Sequence, residues 1–139
     1  MPEARVAQLE EIPPVRDHDL PIDSKWRPVR HHLGVEAFGI NAYEATDAGD
    51  VVIEDHDEAD LGHQELYFVA RGGAEFTLGD STRKVVAGTF VFYPDPTMRR
   101  KAVALEPGTT VVAVGAKPGE AFSPSEWERR RTAKLPTAG

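Results

Sequence analysis

Short apolar runs separated by turn residues fill the chain from Gly34 onward. The segment 74–78 (AEFTL) alternates between apolar and polar residues, a pattern typical of a strand with one buried face. The segment 64–70 (QELYFVA) is apolar on both parities, as expected for a strand that is covered on both faces. Further β-like runs lie at 35–44, 51–53, 83–86, 89–93, 99–105 and 109–115. Because no long helical period separates these runs, the pattern predicts an all-β sandwich or barrel.

Glycines mark the predicted turns between the strands. Gly72 and Gly73 predict a tight hairpin turn between 64–70 and 74–78. Residues 79–81 (GDS) predict a second turn, after which the chain pairs back on itself.

The first part of the chain is polar, charged and rich in proline, and we interpret residues 1–33 as an N-terminal arm. A short helical turn is expected around residues 6–11, and the arm has room for one strand. Residues 26–30 (WRPVR) are candidates for lying across a neighbouring molecule. The adjacent His31 and His32 are interpreted as an interface or surface feature, because neighbours on a strand face opposite sides and do not chelate together.

The last part of the chain, residues 119–139, predicts a short helix and a tail. Ser123, Pro124 and Glu126 read as an N-cap, a first helical proline and the third residue of a capping box. Trp127 is then the apolar anchor that holds the helix on the barrel formed by residues 34–118.

Composition excludes several kinds of partner and of metal ligand. The chain has 139 residues, a net charge of −7 and a pI near 5.2, which argues against a nucleic-acid partner. Cysteine is absent, so any metal must be held by His, Asp or Glu. No apolar run approaches the roughly 20 residues that span a bilayer, and the start lacks an apolar signal region. We therefore expect a cytoplasmic protein without a membrane partner.

Two spacings in the barrel region resemble the motifs of the cupin superfamily, in particular its small single-domain bacterial members. Glu65 precedes Gly72 by six intervening residues, as in the second half of the first cupin motif. Gly88 precedes Pro94 by five, as at the start of the second motif. The resemblance implies a double-stranded β-helix, or jelly-roll, barrel, a metal site of three His and one Glu, and pairing into a homodimer.

The sequence departs from this family pattern at its metal ligands. In that register the two His positions of the first motif fall on Glu58 and Asp60. The His position of the second motif falls on Arg99, and Pro96 stands where Gly is usual. Of the four implied ligands, Glu65 alone remains.

One hypothesis rebuilds the metal site from His56, His63 and Glu65. His56 with Glu58, and His63 with Glu65, form two H-x-E pairs, and residues two apart on a strand face the same side. Imidazole and carboxylate ligands suit Zn, Ni, Fe or Mn. This site would make the protein a metal-dependent oxygenase, isomerase or lyase. The alternative is that residues 54–60, with five carboxylates, form a solvated surface loop.

A second hypothesis is a pocket without metal. We favour it because the sequence directly shows other residues at the His positions of the family. Arg99 would pair with Glu65 inside the barrel, since an Arg–carboxylate pair satisfies both groups. Tyr67 and Tyr93 would line the pocket or belong to the core. The protein would then bind a small polar or anionic metabolite. A third hypothesis is a dimeric scaffold without catalysis, and a homodimer is expected in each case.

Overall fold

The computed structural model describes residues 3–16, 20 and 22–138. Positions 1–2, 17–19 and 21 of the predicted arm and position 139 of the tail lie outside the described residues. In chain order the elements are β1 (Lys25–Arg27), α1 (Val29–Leu33), β2 (Gly39–Glu44), β3 (Val51–His56), β4 (Gln64–Arg71), β5 (Gly73–Leu78), β6 (Ser81–Val86), β7 (Phe90–Tyr93), β8 (Arg100–Ala104), β9 (Thr110–Ala116) and α2 (Glu126–Thr132).

The strands form two antiparallel sheets whose inner faces share one core. The first sheet has the order β1-β2-β9-β4-β7, and the second has the order β3-β8-β5-β6. This is the predicted all-β double-stranded β-helix with a short C-terminal helix, so the predicted fold is confirmed. Among the described residues, none of the helices is both long enough and apolar enough to cross a membrane.

The core lies between the sheets and follows the period of two. Val69 and Val111 of the first sheet and Val52 and Phe76 of the second are at most 1% exposed. Each side chain of this kind contributes about 1.5–3 kcal/mol when it leaves water. The alternation predicted for 74–78 is therefore the alternation between core and surface.

The hairpin predicted at Gly72 and Gly73 is wrong. β4 pairs with β7 and β9, whereas β5 pairs with β6 and β8, so the two strands lie in different sheets. Gly72 has a φ of 71°, and a Cβ there would lie 2.4 Å from Oγ1 of Thr109. Gly72 thus carries the chain from one sheet to the other, while the turn predicted at 79–81 does join β5 to β6.

The predicted arm contains elements that join the barrel. β1 extends the first sheet by pairing with β2, and Val15 N donates a hydrogen bond to the carbonyl of Trp26. The helical turn expected around 6–11 is a 3₁₀ turn at Leu9–Glu11.

His31 and His32 lie on α1 rather than on a strand, and they contact the C-terminal tail of the same chain. A ring nitrogen of His31 is 3.0 Å from the carbonyl of Leu135, and one of His32 is 3.3 Å from that of Pro136. Helical geometry lets both rings face the tail, which the strand interpretation excluded.

The helix α2 begins two residues later than its predicted cap. Ser125, not Ser123, is the N-cap, and its hydroxyl accepts a hydrogen bond from Glu128 N. Ser123 instead accepts a hydrogen bond from the guanidinium of Arg129. Trp127 stacks on Trp26 with 5.0 Å between ring centroids, which fixes α2 across one end of the barrel.

Candidate functional site

A cavity of about 470 Å³ opens at the end of the barrel that α2 borders. Its apolar wall is formed by Trp26, Tyr43, Ile53, Leu61, Phe122 and Trp127. This volume lies in the range typical of small-molecule sites.

Two glycines keep the cavity open. Gly39 of β2 and Gly115 of β9 are cross-strand partners in the first sheet, and both line the cavity. A Cβ on Gly115 would lie 3.1 Å from Cγ of Glu65, and one on Gly39 would lie 3.3 Å from the ring of Phe122. Side chains at these two positions would crowd the groups that line the cavity.

Glu65, on β4, is at the centre of a polar cluster in this cavity. Its Oε1 accepts hydrogen bonds from Tyr67 OH at 2.6 Å and from Arg100 Nη1 at 2.9 Å. Burial raises the pKa of Glu65, but His56, Tyr67 and Arg100 together outweigh burial and hold it below its usual value. Glu65 is therefore a carboxylate at neutral pH.

Arg100, the first residue of β8, supplies a permanent cation to this cluster. Its side chain is fully buried, and the carbonyls of Asp95 and Met98 accept its remaining hydrogen bonds. Its guanidinium also lies over the ring of Tyr93, 4.6 Å from the centroid. Every nitrogen of the guanidinium is thus engaged, and its charge is fixed beside Glu65.

His56, the last residue of β3, faces two carboxylates. Its Nδ1 is 2.7 Å from the carbonyl of Glu54, and since a carbonyl only accepts, Nδ1 carries a proton. Its Nε2 is 3.5 Å from Glu58 and 3.6 Å from Glu65, which are ion-pair rather than hydrogen-bond distances. Burial lowers the pKa of His56, but the two carboxylates and the Glu54 carbonyl raise it to about 10. His56 is an imidazolium at neutral pH.

The loop between β3 and β4 positions Glu58. Glu58 N donates to the carbonyl of Pro96, and the carbonyl of Glu58 accepts from Gly62 N, both at 2.7 Å. These bonds close the loop against the segment that precedes β8. As a result, His56, Glu58 and Glu65 each place one possible metal-ligand atom within 4.8 Å of the other two.

These residues do not fit the three-His, one-Glu centre that the family resemblance implies. The group contains a single imidazole, that of His56. Oε1 of Glu65 already accepts two hydrogen bonds, one of them from the permanent cation of Arg100. The positive charges of Arg100 and His56 balance the negative charges of Glu65 and Glu58 without a metal.

The pair predicted between Arg99 and Glu65 does not form. Arg99 points away from the barrel interior and pairs with Asp55 at 2.6 Å, with about half of each side chain exposed. The residue that meets Glu65 is Arg100, one position later. The cause is strand parity, because Arg100 shares the inward face of β8 with the buried Ala102.

His63 and Tyr93 are placed differently from the rest of the predicted site. His63 lines the cavity, 5.9 Å from the ring of Phe122, but it lies outside the group formed by His56, Glu58 and Glu65. Tyr93 is fully buried, and its hydroxyl donates to the carbonyl of Thr77. Burial raises the pKa of Tyr93 to about 12, and the ring belongs to the core. Tyr67, by contrast, does line the cavity.

Sequence reasoning missed several polar groups in the cavity wall. The indole N–H of Trp26 and the Oδ1 of Asn41 are buried and have no hydrogen-bond partner among the described residues. Burial raises the pKa of Glu54, which also lines the cavity. Strand parity is the signal that could have identified Arg100, since Arg100 and the buried Ala102 share the inward face of β8.

Solved structures of cupins share this fold. A conserved protein with a double-stranded beta-helix domain from Klebsiella pneumoniae aligns with a TM-score of 0.61 and 23% identity, over 86% of this chain and 95% of the other. A cupin 2 conserved barrel domain protein from Salinispora arenicola aligns with a TM-score of 0.62 and 16% identity, over 84% and 92%. KdgF from a Halomonas species gives 0.57 and 23%, over 72% and 83%.

The fold is therefore that of the cupins, as the resemblance of the two motifs indicated. No protein-family model matches the sequence, and no curated protein matches it. At these identities the likeness to the solved structures establishes the shared barrel and not a shared activity.

Proposed function

We propose that the protein binds a small polar molecule in the barrel cavity and that this binding does not depend on a metal. The observation that carries the proposal is the charge-balanced cluster at Glu65, placed in the wall of a cavity of about 470 Å³. A pocket with mainly apolar walls, a few convergent polar groups and shifted pKa values is the usual form of a ligand site.

The cluster offers a ligand both donors and acceptors. Nε2 of His56 carries a proton and lies at ion-pair distance from its carboxylates, so a ligand oxygen can compete for that proton. Tyr67 and Arg100 hold Glu65 in place, which spares a ligand the cost of ordering it. Between the polar and the anionic ligand predicted from the sequence, the carboxylates of the wall favour the polar one.

The experiment is a ligand screen on untagged protein kept in a chelator. We expect one or more small polar metabolites to raise the melting temperature by several degrees. The shift should disappear in His56→Gln and persist in Arg99→Gln, which removes a charge outside the cavity. Failure of a broad panel of neutral, cationic and anionic compounds to bind would overturn the proposal.

A second candidate function is a metal-dependent enzyme, the alternative that the sequence left open. It is supported by the donor group of His56, Glu58 and Glu65. The test is elemental analysis after incubation with Zn²⁺, Ni²⁺, Fe²⁺ or Mn²⁺. One equivalent of metal that is lost in Glu58→Gln would favour this candidate over the metal-free site, whereas less than about a tenth of an equivalent would reject it.

A further inference from the structure

The charge of the cavity wall is strongly one-sided. Six carboxylate side chains line it: Glu54, Asp57, Glu58, Asp60, Glu65 and Glu128. Arg100 pairs with Glu65 and Arg30 pairs with Glu128, at 2.9 and 2.5 Å. His56 lies between Glu58 and Glu65. Among the described residues, no ion pair holds Glu54, Asp57 or Asp60, although the positive charges of His56 and Arg131 act on Glu54 over a longer distance.

Of these three acids, Glu54 lies on β3 and is half-buried. Its carboxylate is partly removed from water and accepts no hydrogen bond from the described residues. A carboxylate that is taken out of water without a partner is destabilised, and a cation beside it removes that cost. The cavity therefore favours a positive ligand group at Glu54.

A second requirement on the ligand comes from a hydrogen-bond donor of the cavity wall that has no acceptor. Trp26 is 2% exposed and contributes to the cavity wall, and its indole N–H has no partner in the described parts of the chain. A buried N–H of this kind calls for an oxygen acceptor. Tyr43 and Phe122 add aromatic surface, which accommodates both an apolar body and an ammonium group.

We propose that the ligand of the cavity is an organic amine, positively charged at neutral pH, that also carries a hydroxyl or carbonyl oxygen. Its ammonium group pairs with Glu54 and the neighbouring acids of the loop between β3 and β4. Its oxygen accepts from the donors of the wall, and its carbon chain packs on Tyr43 and Phe122. This inference rests on the proposed function and specifies the class of ligand.

Three probes of equal length test the inference, because they differ in charge at one end. They are aminohexanol, hexanediol and hydroxyhexanoate, titrated against the full chain in chelator by calorimetry or NMR. Aminohexanol should bind on the order of ten-fold more tightly than hexanediol, and hydroxyhexanoate more weakly than both. The preference should weaken as salt is added, because salt screens charge pairs.

Matched variants locate the effect. Glu54→Gln should remove most of the preference for the amine, whereas Glu36→Gln, an exposed acid outside the cavity, should leave it unchanged. Equal binding of aminohexanol and hexanediol would overturn the amine inference and leave the proposed pocket standing. Tighter binding of hydroxyhexanoate would also overturn it. If neither the three probes nor the broad panel bind, the proposed function itself fails.

Discussion

The interior of the barrel has two halves that the same strands build in different ways. β3 contributes Val52 to the packed half and His56 to the cavity half, and β4 contributes Val69 and Glu65 in the same manner. The packed half is apolar and closed, whereas the cavity half concentrates charge around Glu65. A shift of a few residues along one strand thus separates the part that stabilises the fold from the part that forms the candidate site.

The largest loss of stability is expected from a substitution in the packed half. Phe76→Ala should lower the free energy of unfolding by about 3–5 kcal/mol, because it leaves a void where the side chain is 1% exposed. Chemical denaturation measures this loss. A loss below about 1 kcal/mol would show that the packed half is not what holds the sheets together.

A slightly smaller loss of stability is expected when the buried cation of the cavity half is removed. Arg100→Gln leaves the buried Glu65 without its fully buried cationic partner and should cost about 3 kcal/mol. Arg99→Gln is the matched control, because it removes the same charge from the exposed pair with Asp55, which is worth at most about 1 kcal/mol. Equal losses in the two variants would contradict the placement of Arg100.

The fold was predictable because its signals are local. Alternation in 74–78 and the apolar run at 64–70 each describe one strand and its faces. The pairing of strands was less accessible, since Gly72 is compatible with a hairpin and with a crossing between sheets. Contact with Thr109, which lies 37 positions further on, decides for the crossing.

The site was harder to predict because it depends on which face each residue takes. Motif spacing pointed to Arg99, whereas the strand register places Arg100 inward, and the two differ by one position. The H-x-E pair of His56 and Glu58 was visible in the sequence. Its approach to Glu65 requires a loop that bonds to Pro96, and no local pattern reports that bond.

Stability should also depend on pH through His56. Its pKa is about 10 in the folded protein against 6.5 for the free side chain, so the folded state binds the extra proton between these values. The stabilisation is therefore complete below about pH 6.5 and is lost as the pH rises toward 10. Screening limits the change to on the order of 2 kcal/mol. The free energy of unfolding, measured at several pH values across this range, should no longer fall with rising pH in His56→Gln. An unchanged dependence on pH in that variant would rule out His56 as its source.

The smallest effect compares two buried hydroxyls, one in each half. Tyr67 donates to the carboxylate of Glu65 and Tyr93 to the carbonyl of Thr77, both at 2.6 Å. Hydrogen bonds to charged acceptors contribute about twice as much as those to neutral ones, so Tyr67→Phe should cost about 2 kcal/mol and Tyr93→Phe about 1 kcal/mol. Tyr67→Phe should also raise the pKa of Glu65, because it removes a donor to the carboxylate, whereas Tyr93→Phe should leave that pKa unchanged. NMR titration of the Glu65 carboxyl carbon measures the difference, and equal pKa values in the two variants would show that Tyr67 does not support the charge of the cavity half.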